Sequence, residues 1–177
     1  MIEIVNWKAF EEHYKFEESV YGYVRQSIEL ISRSSLKEEV FCSFAFNCSA
    51  YNGYVLLSLD TDVLNRERQY YPPDWTYEVV EDYVLELRDL GARLYEPIED
   101  AYHSIVKDLE DQDQFDDFTN GFLTSLRRVM VRIERESILS QYLKTTNDIW
   151  TLVTEIDADE EEEERLLQEE RSRTTEV

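Results

Sequence analysis

Basic residues are scarce in this sequence. Its 177 residues include 18 lysines and arginines against 40 aspartates and glutamates, giving a formal net charge of −22. Because nucleic acids and anionic membrane surfaces are both bound through clustered lysine and arginine, neither is expected as a direct partner. A basic protein or a cation would be attracted instead. A simpler explanation is that the acidity only keeps the domain soluble.

Glycine and long apolar runs are scarce too. With four glycines in the chain, the loops that cradle nucleotide phosphates are disfavoured. No Gly-x-Ser-x-Gly or His-Glu-x-x-His motif occurs, so no catalytic residue and no cofactor is assigned. The sequence has no run of about 18 apolar residues and no basic, apolar leader at its start. These features predict no transmembrane helix and a cytoplasmic location.

The two cysteines, Cys42 and Cys48, also agree with a cytoplasmic location. They lie on one predicted strand, six residues or roughly 20 Å apart. A disulfide requires Cα atoms within about 7 Å, and the spacing is neither a zinc nor a redox spacing. Both are therefore expected to be small, buried core residues.

The least charged stretch is Val40–Thr61, which predicts a β-hairpin. Asn52-Gly53 is a turn signal because both residues tolerate positive φ. The segment Tyr54–Leu59 is apolar on nearly both faces, as in a strand at the centre of a covered sheet. The first strand alternates with period two, and its apolar face is predicted to comprise Val40, Cys42, Phe44, Phe46 and Cys48.

A long amphipathic helix is predicted before the hairpin. Asn6 can cap it, and Ser32–Ser35 ends it. Its apolar residues recur at steps of three and four, with Glu17 as the one interruption: Trp7, Phe10, Tyr14, Tyr21, Val24, Ile28 and Ile31. The pattern also fits a coiled coil. Packing on the sheet is the preferred interpretation, because the hairpin that follows needs a cover.

Helices are also predicted after the hairpin. The segment Asp62–Tyr71 is expected to be partly helical, and Pro72-Pro73 then fixes a rigid turn that positions Trp75. The stretch Trp75–Val80 fits either a short strand or an irregular cover. Glu81–Asp111 is predicted to be largely helical, broken near Gly91 and restarted by Pro97. A further helix is predicted over 115–137.

A late strand, Ile149–Glu155, is expected to join the hairpin. Together these elements predict an α+β fold with a small, mostly antiparallel sheet covered by several helices. Residues 1–160 would form a single domain, and residues 161–177 a charged C-terminal tail that could include a short helix through Leu166 and Leu167. Within that region the Glu160–Glu164 run is expected to be solvated and Arg171–Thr175 loose. Four side chains are expected to be largely buried: Phe44, Phe46, Leu57 and Trp150.

Two histidines, His13 and His103, have acidic neighbours and could act as a general base or as a metal ligand. Most such helix residues have no such role, and the acidic segments starting at Asp111 and Asp157 fail the spacing of a calcium-binding EF-hand loop. No metal ligand is assigned. A metal-dependent binder or enzyme using acidic residues with a histidine remains the alternative function.

Aromatic residues crowd the hairpin turn and the segment after it: Tyr51, Tyr54, Tyr70, Tyr71, Trp75 and Tyr77. Tyrosine and tryptophan are favoured at protein interfaces, although they also cover sheet edges. The predicted partner-binding surface has Tyr70, Tyr71 and Trp75 as its anchor, with Asp74 and Glu78 as its acidic rim.

Three stretches carry a resemblance to a known family: Gly53–Thr61 (GYVLLSLDT), Tyr71–Trp75 (YPPDW) and Ile149–Glu161. In this order they resemble a bacterial domain family of unknown function. Such domains are similar in setting to the immunity proteins of polymorphic-toxin systems, including the SUKH type. The resemblance implies a non-enzymatic, cytoplasmic protein-binding domain that neutralises a toxin, and it assigns no binding residue. A basic, toxin-like partner is therefore expected. A scaffold that dimerises through the first helix is a third hypothesis.

Overall fold

The computed structural model describes residues 4–63 and 68–173. These ranges contain seven α-helices and a three-stranded sheet, so the α+β prediction is confirmed. The helices are α1 (Trp7–Tyr14), α2 (Phe16–Ile31), α3 (Glu86–Leu94), α4 (Glu96–Val106), α5 (Gln112–Arg135), α6 (Ile138–Tyr142) and α7 (Glu160–Arg173). The strands are β1 (Val40–Cys48), β2 (Val55–Asp60) and β3 (Lys144–Glu155). None of the helices in the described ranges combines the length and apolar character needed to cross a membrane.

The sheet is small and mixed, with the strand order β2-β1-β3. β1 and β2 form the predicted antiparallel hairpin, in which Phe44 faces Leu59. β3 joins the other side of β1 in parallel, with Thr151 opposite Phe44. β2 returns the chain to the end of the sheet where β1 starts, and β3 begins at that same end after the helices that follow β2. The sheet is therefore partly parallel.

β3 bulges against β1 near the start of the sheet. Phe41 pairs with Thr145 and Ser43 with Trp150, so β3 contains three extra residues at this point. Phe41 belongs to the main core cluster, as Phe44 does, whereas Cys42 is buried outside that cluster. The predicted apolar face is correct for Phe44, Phe46 and Cys48, which belong to the main core. It is wrong for Val40, which is 51 % exposed.

The sheet has a thick cover on one face and a thin cover on the other. Helices bury the face that carries Phe44, Phe46 and Leu57, which are buried as predicted. On the opposite face, a small cluster contains Ala45, Leu152 and Trp75, with Tyr70 and a half-buried Trp150 at its margin. Residues 68–80 form this thin cover, which includes a 3₁₀ turn at Pro72–Asp74 and one bridge between Tyr77 and Leu59 and ends in the main core at Val80. Trp75–Val80 therefore does not form a strand, and the alternative prediction of a cover is the correct one.

The predicted long N-terminal helix is broken at Lys15. This residue takes a left-handed conformation with φ 51°, so the chain forms α1 and α2 instead of one helix. Asn6 caps α1 as predicted, because its side chain accepts a hydrogen bond from Ala9 N. The break lets Trp7 fold back onto Phe16, with the ring centroids 5.1 Å apart. The interruption of the apolar stripe at Glu17 lies next to this break, but the stripe resumes at Tyr21, and the sequence was therefore interpreted as one helix.

The other helix predictions hold with shifted ends. The break between α3 and α4 falls at Tyr95, and Gly91 lies inside α3. Within 62–71, residues 64–67 lie outside the described part, and the described remainder forms short turns. The C-terminal helix α7 is longer than the expected short helix and is helical through Arg173, where loose chain was expected. Thr174 and Thr175 lie outside the described residues.

The sequence-based expectation of a solvated glutamate run is wrong at one residue. Glu163 is 7 % exposed and accepts hydrogen bonds from Arg127, itself 5 % exposed, at 3.2 and 3.4 Å.

Both cysteines are free and buried as predicted, and burial raises the pKa of the Cys48 thiol.

Gly121 of α5 provides a test of how α1 packs. A Cβ at Gly121 would lie 2.1 Å from Trp7 Cγ, whereas a Cβ at Gly22 of α2 would meet nothing within 4 Å. We expect Gly121→Ala to lower the free energy of unfolding by about 1–3 kcal/mol, as overpacking does, despite alanine's better helix propensity. Chemical denaturation measures the change. Gly22→Ala is the matched control and should stabilise by up to about 1 kcal/mol. Equal stabilisation by both substitutions would contradict the packing of Trp7 on α5.

Candidate functional site

The predicted partner-binding residues belong to the thin cover of the sheet, and two of them are engaged there. Trp75 is 4 % exposed and donates its indole N–H to the carbonyl of Arg68 at 2.7 Å. Tyr70 is half-buried, with its ring edge-on to Trp150 and its hydroxyl donating to Glu164 at 2.8 Å. The indole of Trp75 therefore supports the cover from beneath rather than offering a contact surface.

The other three predicted residues do reach the surface. Tyr71 is 42 % exposed, and both Asp74 and Glu78 are exposed. The backbone carbonyl of Glu78 accepts a hydrogen bond from Ser58, which leaves its carboxylate outside the contact. These three side chains form the part of the predicted surface that is accessible to a partner.

Asp60 at the end of β2 fastens this cover to the sheet. Its side chain is 3 % exposed and accepts from Arg68 Nη2 at 2.6 Å, from Thr76 N at 3.1 Å and from Thr76 Oγ1 at 2.8 Å. Burial would raise the pKa of Asp60, but the hydrogen bonds from Arg68 and Thr76 outweigh it and lower that pKa. The arrangement is a structural clamp, since both carboxylate oxygens accept hydrogen bonds from within the chain.

A second surface stands out because negative charge is concentrated on it. Residues 81–117, named here the acidic segment, contain thirteen acidic and three basic residues, which is close to half of the net charge of the chain. Eleven of these carboxylates are exposed. Within the described residues, the segment holds one ion pair, between Arg88 and Asp82 at 2.7 Å. Its charge is therefore left largely uncompensated.

The acidic segment encloses a cleft where α3 meets α4. This acidic cleft has a volume of about 360 Å³, and its wall includes Glu81, Glu96, Glu99 and Asp100 together with Tyr54. Burial raises the pKa of Glu99, and the neighbouring carboxylates raise it further. Arg88 also lines the cleft, but the four carboxylates outnumber it, so a further positive charge placed in the cleft would reduce the repulsion between them.

The hairpin turn brings two tyrosines to this surface. Tyr54 lines the acidic cleft, and Tyr51 is 52 % exposed. The Tyr51 ring lies edge-on to His103 of α4 at 6.2 Å and tilted against Phe115 of α5 at 6.3 Å. The aromatic residues that crowd the sequence thus separate in space. Tyr51 and Tyr54 join the acidic segment, whereas Tyr77 packs against Phe41.

Hydrogen bonds from α3–α4 hold that turn in one position. Tyr95 donates to the carbonyl of Gly53, and Tyr102 donates to the carbonyl of Ala50, both at 2.6 Å. Gly53 has φ 82°, and a Cβ there would lie 2.6 Å from Tyr102 Cδ1, so glycine is required. The turn is therefore a rigid platform for Tyr51 and Tyr54.

The two histidines lie on different helices and do not form a common centre. His13 is exposed on α1, edge-on to Tyr14. His103 is half-buried on α4, and its Nδ1 is buried without a hydrogen-bond partner. Among the residues that the structure describes, no group of three or more histidine, cysteine, aspartate or glutamate side chains could hold a metal ion.

Sequence reasoning missed the acidic segment as a surface, although its signal was present. Thirteen acidic residues within 37 positions stand out in the sequence, but the test for calcium-binding loops addressed only the stretches that start at Asp111 and Asp157. Comparison of the chain with protein-family models, curated proteins and solved structures gives no match.

Proposed function

We propose that this chain is a non-catalytic protein-binding domain that takes a basic protein partner through the acidic segment and the hairpin tyrosines. The observation that supports this most strongly is the uneven compensation of charge. Residues 81–117 have one ion pair among the described residues, although they hold close to half of the net negative charge. An exposed field of one sign steers an oppositely charged partner and speeds its association.

Outside the acidic segment, several acidic side chains form ion pairs that join helices. Three arginines of α5 pair with glutamates from α2 and α7: Arg128 with Glu17 at 3.2 Å, Arg132 with Glu18 at 2.7 Å and Arg127 with Glu163 at 3.2 Å. These carboxylates help to hold helices together. Within the acidic segment, Asp117 accepts a hydrogen bond from Trp7 N and Asp111 caps α5. Among the described residues, however, none of its carboxylates pairs with a cation outside the segment, which favours an external partner for them.

The hairpin turn gives the proposed surface an anchor as well as a charge. Tyrosine is enriched among the residues that dominate binding energy at interfaces, because it offers a large apolar ring with a polar end. Tyr51 is exposed and rests on a turn fixed by Tyr95 and Tyr102. Such preorganisation lowers the entropic cost of binding.

The biological role proposed for this activity is that of a bacterial, cytoplasmic immunity protein that neutralises a basic toxin. It rests on the resemblance of Gly53–Thr61, Tyr71–Trp75 and Ile149–Glu161 to domains in that setting. Opposite charges would raise the rate at which such an inhibitor meets a basic toxin.

Association kinetics with a toxin-like protein encoded beside this chain test the proposal. Replacing both Glu96 and Asp100 by lysine should lower the association rate at least tenfold, because both exposed carboxylates line the acidic cleft. The matched control replaces Asp74 and Glu78 by lysine, which makes the same change in net charge on the cover. The control should lower the rate less than threefold.

Two outcomes would overturn this assignment. If the control slows association more than the cleft variant, the partner binds the cover, as the sequence first indicated. If both variants bind at the wild-type rate and binding is indifferent to salt, the acidity serves solubility alone.

A further inference from the structure

The outer edge of β3 needs a cover. β3 is the last strand in the order β2-β1-β3, and no strand among the described residues pairs with its outer side. Its second half, Ile149–Glu155, is rich in β-branched and aromatic residues and contains neither proline nor lysine. Proteins usually protect such an edge, since its free N–H and C=O groups can pair with another chain.

The C-terminal helix α7 supplies that cover. It packs against β3 and α5. On one side, Arg171 Nη2 donates to Thr151 Oγ1 of β3 at 2.9 Å. On the other side, Glu164 accepts from Tyr70, whose ring lies against Trp150 of the same strand. The helix therefore contacts groups on both sides of the β3 edge.

Charge rather than apolar burial holds α7 in place. Among its described residues, the buried ones are Glu163, Leu167 and Glu170, so a single apolar side chain enters the core. Glu163 pairs with Arg127 at 3.2 Å, and Glu170 pairs with Arg128 at 3.6 Å. An interface of this composition should open more readily than the aromatic core around it.

We propose that α7 is a releasable cover of the β3 edge, and that its release lets β3 pair antiparallel with β3 of a second copy of this chain. The sequence of β3 is suited to such a pair. If two strands meet with Leu152 opposite Leu152, Ile149 faces Glu155 and Trp150 faces Thr154. No carboxylate then lies directly opposite another, so the cross-strand repulsion that usually blocks self-pairing is avoided.

Hydrogen exchange of the full chain carrying Glu170→Lys tests the release. The new lysine would face Arg128 and Arg173, which now pair with Glu170. Amide exchange in α7 should accelerate at least tenfold while exchange in α5 stays within twofold of wild type. Glu169→Lys is the matched control, because Glu169 pairs within α7, with Arg165. The control should leave α7 exchange within threefold of wild type.

Sedimentation velocity on the same two variants tests the exposed edge. At physiological ionic strength, Glu170→Lys should form a concentration-dependent dimer, whereas Glu169→Lys and wild type stay monomeric. Equal α7 exchange in the two variants would overturn the releasable cover. A Glu170→Lys chain with a released α7 that stays monomeric at every concentration would overturn the edge pairing.

A further measurement keeps the proposal testable if Glu170→Lys unfolds as a whole. In the wild-type chain, α7 amides should exchange through an opening that depends less on urea than the opening of α5, because a local release exposes less surface. Identical exchange of α7 and α5 across urea concentrations would overturn the proposal.

Discussion

Replacing Phe44 by alanine is expected to lower the free energy of unfolding by about 3–5 kcal/mol, the cost of truncating a buried phenylalanine. Phe44 is 0 % exposed at the centre of β1, the middle strand of the sheet. Its ring lies edge-on to Phe46 at 5.6 Å. Because helices close over this face, the cavity left by the substitution has little room to collapse. Urea denaturation followed by circular dichroism measures the change.

Val40→Ala is the matched control for Phe44→Ala. Val40 lies on the same strand but is 51 % exposed, so its truncation should change the free energy of unfolding by less than about 0.5 kcal/mol. A loss below 1 kcal/mol for Phe44→Ala would mean that the sheet is not packed beneath the helices, and the architecture would be wrong.

Asp60→Asn is expected to cost about 3–5 kcal/mol at neutral pH, because it leaves the guanidinium of Arg68 without its buried partner. Asp60 is the point at which the cover of residues 68–80 is fastened to β2. The pKa of Asp60 is lowered in the folded chain from its ordinary value of 3.8. A carboxyl with a lowered pKa stabilises the fold above its unfolded pKa, and this stabilisation is lost as the pH falls through the folded pKa.

The difference in stability between wild type and Asp60→Asn should therefore be largest above about pH 5 and should shrink as the pH falls below 3.8. Denaturation at a series of pH values measures it. Asp62→Asn makes the same charge change at a side chain that is 42 % exposed and 3.9 Å from Arg68, so its effect should be below about 1 kcal/mol. A pH-independent difference for Asp60→Asn would show that Asp60 is not the charged centre of the clamp.

Features set by neighbouring residues could be predicted from the sequence. The hairpin follows from the alternation in β1 and from Asn52-Gly53. The cap of α1 follows from Asn6. The long helix α5 follows from an apolar stripe that includes Phe118, Phe122 and Leu126. In each case the signal lies within one turn, one strand or one helix, and no distant contact overrides it.

Features set by distant contacts could not be predicted. The left-handed Lys15 divides the apolar stripe, and Trp7 packs close to Gly121 of α5, a contact between distant residues that the sequence does not show. The bulge in β3 arises from pairing with β1, which a single sequence does not show. The docking of α7 depends on two arginines more than 30 residues away, and a run of glutamates gives no sign that Glu163 is buried.

The candidate site, like the fold, could be predicted from the sequence only in part. The sequence indicated that tyrosines near the hairpin could bind a partner, and it indicated a basic partner from net charge. It could not show that Trp75 is turned inward beneath the cover. Nor could it show that Tyr51 is carried to the acidic segment by the bond between Tyr102 and Ala50. The first depends on how the cover packs on the sheet, and the second on how α4 packs against the hairpin turn.

The central claim is that the acidic segment, with Tyr51, is the surface that meets a basic partner. Photo-crosslinking in the source cells tests it most directly, with a photoreactive phenylalanine analogue placed at Tyr51 in one variant and at Tyr71 in another. Both positions are exposed, at 52 % and 42 %, and they lie on different surfaces. The account predicts that a basic protein is captured from Tyr51, and that this capture is lost when Glu96 and Asp100 are replaced by lysine. Capture of a partner from Tyr71 alone, or of an acidic partner from Tyr51, would contradict it.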